Sequence, residues 1–327
     1  MRKLTILLAL NGSEESLQAS RCAFSLAKKI GAKVLALHVV DSRTAWDLLG
    51  FSKPGLIGSG MYLSAYESLC TSMRNLANKL MEKFEAVAAA EDVEVDYEIG
   101  DGNPIHQICQ RATESDFVII GHQPTSVQPP EQHRNSFIRR SIAEGVIHEA
   151  TKPVLLVQGD FVQWKKLKIL VSIDHINIPY LRACHMAAHL LGAEPEIVCL
   201  TTGVREEPPA DFSADLHQAY PDLKHVSITY QSLSDQITEK TPLWSHKPVS
   251  MKLQGDFDEL FVVPTRGTGH DRITIFGSQP EIFVHNLTLP NILFWPEEHV
   301  DEWTEDVIAK GLSDRLGLSY TLTSKPS

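Results

Sequence analysis

Residues 141–156 read SIAEGVIHEATKPVLL, and residues 278–293 read SQPEIFVHNLTLPNIL. Six of the sixteen positions are identical at a constant offset of 137: Ser141/Ser278, Glu144/Glu281, His148/His285, Thr151/Thr288, Pro153/Pro290 and Leu156/Leu293. Most of the other pairs keep their polarity. A repeat at this spacing marks a whole domain, because solenoid units recur every ~20–50 residues. The length of 327 residues suggests two domains on its own account.

The first copy alternates strand and helix signals. Leu4–Leu10 is a continuous apolar run. Glu14–Ile30 has helical spacing, with Leu17, Ala23, Leu26, Ala27 and Ile30 on one stripe, and it stops at Gly31. Lys33–Val40 is the second strand. Residues 43–61 carry glycine and serine and read as irregular. A long helix pattern follows from about Tyr62 to Ala90, then strand Val93–Ile99. Asn103-Pro104 opens another helix. Asp116–Ile120 is a strand, Ser141–Glu149 a helix and Pro153–Gln158 the closing strand. Strands apolar on both faces and separated by helices predict a parallel sheet covered on both sides. The fold class expected is α/β, with two doubly wound, five-stranded parallel-sheet domains. Ligands in such domains sit at the carboxyl ends of the strands, near the reversal of strand order.

The second copy repeats the plan from Leu167–Ile173 through Asn291–Trp295, but its middle is eroded. Pro208, Pro209 and Pro221 leave room for a short helix, and Ser232–Gln254 is weakly periodic. The expected division is 1–158, a linker at 159–166, 167–296, and an acidic tail at 297–327. In that tail Val300, Trp303, Val307 and Ile308 form a small apolar stripe. It reads as a helix docking on its own domain, with a partner-binding helix as the alternative.

The net charge of −11 opposes general binding to nucleic acid or anionic lipid. No apolar run reaches the ~18–20 residues of a membrane span. The apolar N-terminal stretch reads as a buried first strand rather than a signal peptide, because the second copy repeats it internally. Cys22, Cys70, Cys109, Cys184 and Cys199 show no CxxC spacing and fit buried thiols in a reducing cytoplasm.

The repeated unit resembles the universal stress protein family, over about residues 1–158 and 167–296. The features that carry the resemblance are ILLALNGSEES at 6–16, Gly102-Asn103-Pro104 before a helix, and the closing Thr151-Lys152-Pro153-Val154-Leu155-Leu156-Val157. It is similar to the tandem type, in which two copies pair within one chain. The resemblance implies an adenine nucleotide, ATP or AMP, held by a glycine, two residues, a second glycine, nine residues, then Gly-Ser or Gly-Thr. An aspartate ends the first strand in such members. Glycine lets backbone approach phosphate, and a helix N-terminus attracts anions.

The first copy departs from this pattern. Asn11 replaces the aspartate, Gly121 is kept, Pro124 replaces the second glycine, and Arg140 stands before Ser141. Either the site is lost, or Arg139 and Arg140 hold an anion with side chains. The second copy matches better. Asp174 stands at the aspartate position, and Gly267, nine residues, then Gly277-Ser278 keep the spacing. Pro264 replaces the first glycine and removes a backbone donor. Arg266, His270 and Arg272 add positive charge to that loop.

Other candidates carry less. His185 and His189 are spaced i,i+4, but no third metal ligand is identifiable, so no metal site is expected. His148 and His285 read as structural. Ser141 and Ser278 read as helix caps rather than nucleophiles, since neither has an identifiable base. His122, just after the fourth strand, faces the expected first site. Gly55, Gly58 and Gly60 follow no strand and read as loop. No positioned base or metal carboxylate pair appears. The expectation is a non-catalytic stress-response protein whose second copy binds an adenine nucleotide. The alternative is an interaction module with degenerate sites. Intramolecular pairing of the copies, a homodimer and an unidentified protein partner are the associations to consider.

Overall fold

The computed structural model describes residues 3–50, 59–122, 141–159, 161, 163–172, 176–201, 212–232, 256, 258–265 and 291–309. Ten strands form one sheet in the order β3-β2-β1-β4-β5-β10-β9-β6-β7-β8. The first five are β1 (Thr5–Leu10), β2 (Lys33–Val40), β3 (Val95–Asp101), β4 (Phe117–Gly121) and β5 (Val154–Val157). The second five are β6 (Lys166–Ser172), β7 (Glu194–Thr201), β8 (Ser227–Ser232), β9 (Glu259–Thr265) and β10 (Asn291–Pro296). Each set of five is parallel within itself. The two sets join edge to edge where β5 meets β10 antiparallel, with Leu155 opposite Leu293 and Val157 opposite Asn291. The strands expected to close two sheets therefore fuse them into one.

Helix α1 (Glu14–Ile30) begins at Ser13, whose side chain accepts from the N–H of Ser16, and ends at Gly31 in the left-handed region, φ 64°. Helix α6 (Ile178–Leu191) ends the same way at Gly192, φ 60°. Both lie on one face of the sheet with the inner side of α3 (Ser59–Ala90). That face holds Ile6, Leu8 and Leu10 of β1, with Leu155, Val157, Leu293 and Trp295. On the opposite face, α4 (Pro104–Ala112) and α5 (Ile142–Glu149) cover Leu7, Val118, Ile120, Val154 and Leu156.

Three expectations need correction. Residues 42–50, expected to be mostly irregular, form α2 (Ser42–Gly50); Asp41 starts it by accepting the N–H of Thr44 at 2.9 Å. The offset of 137 fails in the closing strand. Leu156 lies on the α4/α5 face and Leu293 on the α1/α6 face, so Leu155 is the counterpart of Leu293. The repeat alignment is blind to this because both strands are apolar on both faces. Finally, the acidic tail does not dock on its own half alone. After α7 (Phe212–Ala219), the last described helix is α8 (Val300–Ala309). Its Trp303 Nε1–H donates to the Asp116 carbonyl at 2.9 Å, and its ring meets Phe117 and Trp295 at centroid distances of 5.5 and 4.7 Å. Lys152 reaches Asp306 at 3.2 Å. The stripe legible in the sequence thus bridges both sets of strands.

Candidate functional site

Strand order reverses between β1 and β4 and again between β6 and β9. Their carboxyl ends are where a doubly wound sheet opens for ligand. At the first reversal the chain leaves β1 into Asn11-Gly12-Ser13. Gly12 has φ 82°, a conformation side chains disfavour. The Asn11 Oδ1 accepts the Ser13 N–H at 3.0 Å, and the Asn11 N–H donates to Ser16 Oγ at 3.2 Å. Asn11 is therefore used to hold the entry of α1.

Gly121 ends β4. A methyl group there would collide with the Glu15 carbonyl and stand 2.7 Å from the Ser16 nitrogen. The missing Cβ lets the first turn of α1 press on β4. That turn carries Glu14 and Glu15. They complement the helix dipole and oppose an anion at the same mouth. His122 follows at 8% exposure, with its N–H on the Val157 carbonyl at 2.9 Å. Its side chain is buried at the rim.

Ser141 caps α5 through a capping box. Its hydroxyl accepts the Glu144 N–H at 3.2 Å, and its own N–H donates to Glu144 Oε2 at 2.8 Å. This bears out the capping role. The box satisfies two of the donors at that end and brings a buried carboxylate to it. Arg140 lies outside the described residues.

The second-copy candidates Asp174, Gly267, Gly277 and Ser278 also lie outside the described residues, as do Pro124, Arg139, Arg266, His270, Arg272 and His285. What is described are the strands that lead to them. β6 ends at Ser172, two residues before Asp174, and β9 ends at Thr265, two before Gly267; the two strands are parallel neighbours. Pro264 is buried in β9 in register with Trp295, where it costs the ladder one donor.

One polar cluster on the same rim, at the end of the outermost strand β3, was not legible in the sequence. Asp101, at the end of β3, accepts from the Ser42 hydroxyl and from Arg74 Nη2 at 2.5 Å. The signal available was an acidic residue between a strand and Gly102-Asn103-Pro104. A cleft of about 230 Å³ opens between α1 and α3, lined by Leu10, Gly12, Ser13, Ser16, Leu80 and Lys83. A larger groove of about 850 Å³ runs along α1 to Phe161 and Trp164, away from both strand reversals.

His189 is exposed as expected and His185 is buried; their Nε2 atoms are 3.2 Å apart. Among the described residues no three metal-ligating groups cluster. Burial pushes the thiols of Cys22 and Cys184 well up, and those of Cys109 and Cys199 up to about 12. These four sulfurs are poor nucleophiles. Among the described residues no helix is long and apolar enough to cross a membrane.

Residues 4–158 match the universal stress protein family. Over 155 residues, 47% of this chain, the sequence is 26% identical to Universal stress protein MJ0531 of Methanocaldococcus jannaschii, covering 81% of that protein. Across 91% of this chain the fold follows the whole of a universal stress protein from Archaeoglobus fulgidus, with TM-score 0.58 and 17% identity. At that identity the second likeness speaks for fold alone.

Proposed function

The chain belongs to the universal stress protein family through residues 4–158, and from that premise we propose a stress-response protein that acts by binding and not by catalysis. In this reading it is a tandem protein, divided at 1–158 and 167–296 by the linker 159–166. The second copy holds an adenine nucleotide, ATP or AMP, through Asp174, Gly267, Gly277 and Ser278. The first copy is its scaffold. A partner protein reads the occupancy of the loops, in the cytoplasm, where the buried thiols stay reduced.

The observation that supports the asymmetry is Asn11, whose side chain is tied to the Ser13 N–H in its own turn where the second copy has Asp174. The paired ends of β6 and β9 support a second mouth where the glycine spacing survives. Calorimetric titration of the full chain with ATP and with AMP tests this. Saturable heat that disappears in Gly277→Arg and persists in Arg140→Ala is the expected result. Absence of heat with either nucleotide would leave the second reading, an interaction module without nucleotide, which Pro264 in β9 favours.

A further inference from the structure

Helices α1 and α6 both end at a left-handed glycine, Gly31 and Gly192, which sets their residues in step. Seven residues before the glycine, the first copy has Phe24, buried at 3% exposure, and the second has His185 at 8%. Three residues before it, the first copy has Lys28, paired with Glu91, and the second has the exposed His189. Two imidazoles thus stand where the first copy has a core ring and a paired surface cation. Spacing of i,i+4 puts them on one helix face. Their Nε2 atoms turn toward each other, 3.2 Å apart, with ring centroids at 4.7 Å and ring planes 78° apart.

We propose that His185 and His189 are two ligands of one divalent transition-metal ion, of the zinc and nickel class. Two metal–nitrogen bonds of about 2.0–2.1 Å that span 3.2 Å meet at roughly 100°, near the tetrahedral angle. Rings that aim Nε2 at one such ion have centroids about 5 Å apart, against 4.7 Å here. Without the ion, one Nε2–H donates to the other Nε2. Moving that proton to the Nδ1 of its own ring frees both Nε2 lone pairs with no change of charge. Imidazole suits zinc and nickel, whereas magnesium and calcium take oxygen ligands. Among the described residues no third protein ligand joins the pair, so water completes the shell. The exposed His189 gives the ion its way in. Arg182, the basic residue one turn before His185, is held over the Tyr220 ring, 5.5 Å from its centroid. Two imidazoles hold an ion less tightly than a four-ligand site, with Kd on the order of 1–100 µM.

Calorimetric titration of the metal-free full chain with Zn2+ and with Ni2+, slightly above neutral pH where histidine is uncharged, tests the proposal. The parent should show saturable binding, weakened at least about tenfold in His189→Ala and in His185→Phe. His185→Phe installs the residue that the first copy has at this place, and the exposed position of His189 keeps His189→Ala folded. His106→Ala, exposed on α4, should bind as the parent does. Zn2+ should also raise the melting temperature of the parent and leave that of the two site variants unchanged. No saturable binding of either ion up to about 1 mM overturns the proposal. So does binding that survives both His189→Ala and His185→Phe at full strength, because that ion would sit elsewhere.

Discussion

Leu155 and Leu293 are register partners across the antiparallel join, and both point to the face covered by α1 and α6. They are 4% and 2% exposed, so each is closed in by the other and by the helices above. Truncating either to alanine should cost about 2–5 kcal/mol in urea unfolding. A double-mutant cycle should find them coupled by at least ~0.5 kcal/mol. Leu156 and Leu293, identical in the repeat but on opposite faces, should be close to additive. Equal coupling in both cycles would contradict the assignment of faces.

Trp303 ties the last described helix to the start of β4. Trp303→Phe keeps an aromatic ring but removes the bond to the Asp116 carbonyl and part of the buried indole, which should cost about 1–3 kcal/mol. Trp303→Ala also empties the space beside Trp295 and Phe117 and should cost ~3–5 kcal/mol. Equal losses in the two variants, read by chemical denaturation, would mean that packing contributes nothing.

Gly121→Ala should destabilise by about 1–3 kcal/mol, because the colliding group is helix backbone and cannot swing aside. Gly60→Ala in α3 meets nothing within 4 Å and should be neutral or slightly stabilising. Melting temperatures of the two variants separate a close approach from a general intolerance of alanine.

The Cys109 thiol is pushed up to about 12, first by burial and then by Glu149. The folded state then holds its proton above pH 9, where the unfolded chain releases it. Stability is intact below the ordinary thiol range and falls as pH rises from about 9 toward 12. Cys109→Ser should flatten that part of the urea-midpoint profile. A profile identical to the parent's would remove Cys109 as a cause.

The alternation of apolar strands and periodic helices made the sheet legible, and Ser13, Gly31 and Ser141 marked helix ends by chemistry that acts within a few residues. What stayed hidden depends on contacts far apart in sequence. Nothing near Asp116 signals that Trp303 will bond to its carbonyl. Asn11 reads as a lost aspartate, but its work on Ser13 follows from the turn that Gly12 makes. Gly121 was legible as a required glycine, but not that the first turn of α1 presses on it. α2 was missed because glycine and serine just beyond it masked the short pattern from Arg43 to Leu49.

The antiparallel meeting of β5 and β10 also fixes where the two mouths look. The carboxyl ends of β1 and β4 lie on one rim of the sheet, and those of β6 and β9 on the other, roughly a strand length of ~20 Å away. No small molecule can touch both. Any dialogue between an occupied rim and the opposite one has to pass through the strands themselves, with Leu155 and Leu293 at the midpoint of the path.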